Sequence, residues 1–195
     1  MSKVSEFVKS EMSPKDKFMT YFPMGVFGTL RENQCNNGLM HGRERFTEAK
    51  AGSKTYVTKH RNAFLPHFYA EGLGIRFEAD ACSPFEIFEY EEKDWSEKIM
   101  NPVDRLESFS VDSYEAKGGY YRTLANLRVL PDDYSEGFGK VQLWGRRDLK
   151  IPVEDWEKFP KMACWIYSSP DQNKKTVIYC REKGIDCPIL WPVKV

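Results

Sequence analysis

Residues 24–40 read MGVFGTLRENQCNNGLM, and the fold turns on how this stretch is read. Met24-Gly25-Val26-Phe27 is a short apolar run stopped by Gly28, the pattern of a buried strand running into a turn. A glycine at that point lets successive backbone amides converge on an anion, so Gly28, Thr29, Leu30 and Arg31 are a candidate nest for a carboxylate or phosphate. A turn with no function but turning has the same sequence. Arg31 to Met40 is polar and Asn-rich, which predicts a loop leading to a short helix. The chain has no GxxxxGK[ST] motif, so nucleotide phosphates find no cradle of that kind.

Upstream, residues 1–20 predict an irregular or short helical lead, with Pro14 in a first helical turn after Ser13. Downstream, β-branched and aromatic residues bounded by Gly and polar groups predict short strands at 55–57 and 74–77. Residues 85–90 alternate Phe, Ile, Phe and Tyr with Glu, a half-buried strand with its charges outward. Further strands are expected at 120–130, 141–144 and 162–167. Trp95 to Phe109 is the best helix, with Ile99, Val103 and Leu106 at helical spacing and Pro102 in a first turn or a break. After Arg146 the tail is punctuated by Pro152, Pro160, Pro170, Pro188 and Pro192. Short strands with few helices predict an α+β domain, a small barrel or a strongly curved sheet.

The 195 residues carry 29 Lys and Arg against 29 Asp and Glu, a formal net charge of zero. A protein that neutralises nucleic-acid phosphates needs a basic surplus or stripe, so the balance argues against that partner. With 41% hydrophobic and 30% charged residues the chain is of globular composition, and its 14% aromatics predict an aromatic-rich core. Cys35, Cys82, Cys164, Cys180 and Cys187 are odd in number with no CxxC pair, and read as reduced thiols. His41, His60 and His67 form no HExxH or HxxxH pair, so a metal site built from imidazoles is not expected. The polar opening MSKVSEFVKSEMSPKDKF does not read as a signal peptide, and no apolar run is long enough for a bilayer span. The expectation is a soluble cytoplasmic protein with no membrane or nucleic-acid partner.

Three more segments carry possible chemistry. Asp104-Arg105-Leu106-Glu107 ends the expected helix. A carboxylate between Leu106 and Phe109 would be partly desolvated, which raises its pKa and suits a general base; a solvated surface Glu is the plainer alternative. Gly118-Gly119-Tyr120-Tyr121-Arg122 feeds two glycines into an aromatic strand, a hairpin entry in structural terms and, in functional terms, a place where tyrosines could line a polar pocket. Ala163-Cys164-Trp165-Ile166-Tyr167 reads most simply as a core strand.

In their order these segments resemble the gamma-glutamylcyclotransferase-like family. Residues 24–40 resemble its opening signature, an apolar strand, Tyr-Gly-Thr-Leu-Arg, a short spacer and an Asn, here Asn36, before an apolar pair, here Leu39-Met40. VDRLES (103–108) is similar to the family's Leu-Asp-x-Leu-Glu-Gly, and GGYYRTLANLRV (118–129) to the Tyr-x-Arg strand that follows. ACWIY (163–167) resembles the late Ala-Trp-Val-Tyr strand. The resemblance implies a small mixed, mostly antiparallel β-barrel with flanking helices.

It also implies a reaction. Backbone donors of Gly28, Thr29 and Leu30 hold the α-carboxylate of a gamma-glutamyl group, with Phe27 and Arg31 beside them. Glu107 takes a proton from the α-amine, which attacks the γ-carbonyl, and 5-oxoproline and a free amine, amino acid or peptide are released. Tyr120 lines the pocket and Arg122 supports it from behind. No cofactor or metal is needed.

Three departures stand out: Phe27 replaces the family's Tyr, Ser108 replaces Gly, and residues 110–117 look inserted, bringing a competing carboxylate at Glu115. Residues 1–20 read as a lead, 21–168 as the domain, and 169–195 as an extension packed on it. Rival readings are an inactive binder of a small anionic metabolite or protein partner on the same fold, and a scaffold docking through Ile189, Leu190, Trp191 and Val193.

Overall fold

A computed structural model describes residues 3–46, 55–68, 82–112, 120–132, 134 and 151–192. The strands expected at 74–77 and 141–144, Glu115 and Val193 lie outside the described residues. The strands are β1 (Met24–Val26), β2 (Val57–Pro66), β3 (Cys82–Tyr90), β4 (Tyr121–Val129), β5 (Lys161–Ser168) and β6 (Ile189–Trp191). Five of them close a barrel in the order β2-β3-β1-β5-β4, with β4 returning to β2 through Ala63↔Val129 and Phe64↔Arg128. Every barrel pair is antiparallel but β1–β5, which runs parallel at Met24↔Trp165. β6 shares with β2 the edge of β4 that β5 does not occupy, at Leu124 and Ala125. The fold is therefore α+β, a small mixed barrel with flanking helices.

Alternation along the strands sorts the side chains into two layers. Ala63, Leu65, Phe85, Ile87, Ala125, Leu127, Cys164 and Ile166 form the interior cluster. Gly25 faces the same side, where a Cβ would lie 2.6 Å from Leu127 Cδ1 and 3.0 Å from Ile166 Cγ2. The outer face turns Met24, Val26, Phe88, Leu124 and Trp165 into a second cluster. This is roofed by Phe7 of α1 (Lys3–Lys9), Phe18 of α2 (Pro14–Phe18), Ile99 and Val103. α2 starts as its sequence predicts, with Pro14 in the first turn and Ser13 Oγ accepting from Asp16 N–H at 3.2 Å. Trp165 meets the rings of Phe7, Phe18 and Trp191 at 5.8, 5.8 and 6.0 Å. Such pairs contribute about 0.5–1.5 kcal/mol each beyond their burial. Trp191 is thereby packed onto the barrel's aromatic layer.

The helix expected at 95–109 runs instead from Glu92 to Leu106, as α4 (Glu92–Asp94), a π-helical turn (Trp95–Met100) and α5 (Asn101–Leu106). Pro102 sits inside it, where a regular α-helix would drive its ring into the carbonyl of Lys98. The wider turn takes up that misfit: Asn101 N–H reaches five residues back to Ser96 O. α5 closes with Phe109 N–H on Asp104 O at 2.8 Å and Ser108 N–H on Arg105 O at 3.4 Å. Ser108 takes φ +56, the left-handed turn that a glycine would take.

Other readings need correction. Residues 85–90 do not turn both charges outward: Glu86 is 5% exposed, because Arg31 from the loop after β1 and His60 from β2 meet it. β2 extends far beyond 55–57, its polar Lys59, His60 and Arg61 carried by a long pairing with β3. The proline-rich tail contains α6 (Pro170–Lys183), begun by a capping box in which Gln172 N–H donates to Ser169 Oγ at 3.2 Å and Ser169 N–H to Gln172 Oε1 at 2.8 Å.

Candidate active site at one end of the barrel

Strand register sets the floor of the site. Arg122 of β4 faces Tyr167 of β5. Because β1 runs parallel to β5 from Met24↔Trp165, Val26 stands level with Tyr167, and Val26 faces Glu86 of β3. Arg122, Tyr167, Val26 and Glu86 thus form one row across four strands on the outer face, at the end where β1 runs out into Phe27 and Gly28.

Two segments fold over this row. The first is the loop after β1. Gly28 takes φ +83, which turns the chain so that Arg31 N–H reaches Gly28 O at 3.2 Å. α3 (Asn37–Met40) and the residue before it stitch the loop down. Asn36 N–H donates to Thr29 O at 3.0 Å, Asn36 Nδ2 to Thr29 Oγ1 at 3.1 Å and Asn37 Nδ2 to Leu30 O at 3.1 Å. Asn36 is 5% exposed, and its Oδ1 has no hydrogen-bond partner. Arg31 is buried with its Nε 3.1 Å from Glu86 Oε1, and Glu32 N–H donates to Glu86 Oε2 at 2.6 Å. Burial pushes the Glu86 carboxyl up, but His60, Arg31 and the Glu32 amide outweigh it and hold the group below its ordinary value.

The second segment is the end of α5. Asp104 is buried, 3.1 Å from Arg122 Nε, and accepts a hydrogen bond from Tyr167 Oη. Arg122, 1% exposed, also donates to Phe18 O at 2.8 Å and lies over the rings of Phe18, Phe109 and Trp165. Burial raises Asp104 to about 6 against the opposing pull of Arg122 and Tyr167. One turn on, Glu107 caps the helix. Burial raises its carboxyl to about 7, and the charge of Arg45, beyond α3, draws it back only in part. Glu107 in turn helps to raise the Tyr167 hydroxyl, behind burial and Asp104, so its carboxyl is felt at the row beneath. Leu30 and Val103 share the outer cluster, with Leu106 packed against it, so loop and helix end are built onto one apolar layer.

The sequence-predicted residues are thus distributed unevenly. Gly28, Thr29, Leu30, Arg31, Glu107 and Arg122 gather at this end of the barrel. Phe27 packs its ring against the interior cluster, 5.6 Å from Phe85. Tyr120 is 41% exposed, just ahead of β4. Glu86, Asp104, Tyr167 and Arg45 were not singled out as site residues from sequence. Period-two spacing from Trp165 would have placed Tyr167 on the helix-facing side, and the spacing of three to Glu107 links Asp104 to it. Nothing local marks Arg45 or Glu86.

Among the described residues no group of three His, Cys, Asp or Glu converges as metal ligands would, and no helix is long and apolar enough to cross a membrane. The fold and site define a small mixed β-barrel with a left-handed glycine turn at the end of β1 and a desolvated carboxyl at the end of α5. The chain matches no family model, and no curated protein or solved structure matches it either.

Proposed function

We propose that the protein is a gamma-glutamyl cyclotransferase-type enzyme, converting a gamma-glutamyl amine, amino acid or peptide into 5-oxoproline and a free amine. The observation that carries this is Glu107: a carboxyl raised to about 7, over the end of the barrel from which the Gly28 turn departs. An α-ammonium cannot attack until it loses a proton, and a base poised near neutrality is best matched to that task. The amides of Gly28 to Leu30 would hold the α-carboxylate, while Asn36 Oδ1, buried without a partner, would accept from the amine. Attack on the γ-carbonyl is intramolecular, so holding the substrate folded supplies much of the rate. Glu107 would then return its proton to the leaving nitrogen. Arg122 and Tyr167 act through Asp104, fixing the helix that presents Glu107.

Purified protein should form 5-oxoproline from at least one member of a panel of gamma-glutamyl amines and amino acids. Glu107→Gln should lower that rate by about 10²-fold or more. The rate should rise with pH as Glu107 deprotonates near 7. No product from the wild type, or equal product from Glu107→Gln, would sink the reading. A thermal shift on ligand addition without any product would point to a binder instead.

A further inference from the structure

α6 ends in a tight reversal on the far side of the molecule's chemistry. Gly184, at φ +64, caps it, with Gly184 N–H on Arg181 O at 3.2 Å and Ile185 N–H on Cys180 O at 3.0 Å. The chain doubles back and joins β4 through Asn126 N–H on Pro188 O at 2.8 Å. This reversal packs Cys187 against the interior cluster that holds Val177 of α6, one turn before Cys180, and Ile189 of β6, and it sets the two thiols near enough for each to shift the other's titration. The two sulfurs differ in access. Cys180 is 1% exposed, whereas Cys187 is partly exposed and lines a cavity of about 250 Å³ with Asn126, Arg128, Lys161 and Asp186. Both are free thiols.

We propose that Cys187 and Cys180 form a redox-active dithiol, with Cys187 the attacking and Cys180 the resolving thiol, oxidised by a small disulfide of the oxidised-glutathione class. The Cys187 thiolate attacks one sulfur of the disulfide, forming a mixed disulfide and releasing one thiolate. Cys180 then gives up its proton and attacks the Cys187 sulfur, forming the Cys180–Cys187 bond and releasing the second thiolate. Two protein thiols are oxidised and one disulfide is reduced to two thiols, so electrons balance.

The surroundings favour this order of events. The hydrogen bond from Cys180 lowers Cys187 to about 7; burial opposes it and the Ile189 amide assists. The thiolate is the reacting form, so a thiol brought near neutrality is activated. Cys180 is raised by the same bond and by burial, as suits a resolving thiol that waits. Around the cavity Arg128 meets Glu157 and Lys161 lies 3.4 Å from Asp186, so the site offers both signs of charge to a zwitterionic disulfide. This inference is independent of the Glu107 site.

The test is intact-mass and peptide-mapping spectrometry of the full chain treated with oxidised glutathione and then dithiothreitol. The wild type should lose two hydrogens, retain no adduct and yield a Cys180–Cys187 link that dithiothreitol reverses. Cys180→Ser should accumulate one glutathionyl group, on Cys187. Cys187→Ser should react at least about tenfold more slowly. Because a misfolded variant would confuse these results, alkylation of the wild type by iodoacetamide is also followed residue by residue. Near neutral pH Cys187 should react about tenfold faster than Cys35. No oxidation, a link through Cys35, Cys82 or Cys164, or Cys35 alkylated first would each overturn the assignment.

Discussion

Glu107 holds its proton more tightly in the folded protein than in the unfolded chain, about 7 against an ordinary 4.5. Between those values the native state binds the extra proton. The stability this gives is therefore full below about 4.5 and is lost as pH rises through about 7. Each tenfold gain in proton affinity corresponds to about 1.4 kcal/mol, so the ionised carboxyl destabilises the folded state by roughly 3–4 kcal/mol above neutrality. Glu107→Gln, which has no charge to desolvate, should raise the urea midpoint at a pH near 8 and leave it close to wild type at a pH near 4. Equal midpoints for the two proteins at both pH values would mean that the carboxyl is not desolvated. Asp104, raised from 3.8 to about 6, acts in the same direction over a lower window. Glu107 was legible in the sequence because its apolar neighbours Leu106 and Phe109 lie on the same short segment. Arg45 and Glu86 are tied to the site through space, and their charges look like ordinary surface charges in the chain.

At the scale of elements, α5 delivers Glu107 only because its end is sharply turned. Ser108 makes that turn at φ +56, a conformation that costs an L-residue roughly 1–2 kcal/mol and glycine almost nothing. Ser108→Gly should therefore stabilise the protein by about 0.5–1 kcal/mol, once the greater freedom of glycine in the unfolded chain is offset. A lowered melting temperature for this variant would contradict the assignment of a strained helix cap. Elements with strong local signals were readable, among them β1, β5 and the capped α2. β2 was not, because Lys59, His60 and Arg61 break its pattern; its pairing with β3 holds it straight. The start of α6 was written in Ser169-Pro170 and Gln172, a capping box that the run of later prolines obscured. The π turn had no local signature beyond Pro102.

At the scale of the molecule, closure of the barrel depends on β1 lying close to its neighbours. Gly25 permits this, since a Cβ would press on Leu127 and Ile166. Gly25→Val should destabilise by about 1–3 kcal/mol through overpacking, read as a lower urea midpoint. Because β1 also sets the height of the Gly28 turn over Tyr167, any turnover should fall as well. Wild-type stability in this variant would mean that the interior has spare room, contrary to the packing seen.

Neighbours along the chain were enough to dictate the α+β class, the apolar strand that stops at Gly28, the first turn of α2 and the helix bearing Glu107. Which charges meet was settled by packing alone. Arg31 with Glu86, Arg122 with Asp104, and Cys180 with Cys187 across its reversal all depend on strand register and chain return. Hydrophobic patterning specifies which face of an element is buried. The free energy of a charged or reactive side chain depends on its desolvation and on its partners, which are known only once the elements are packed.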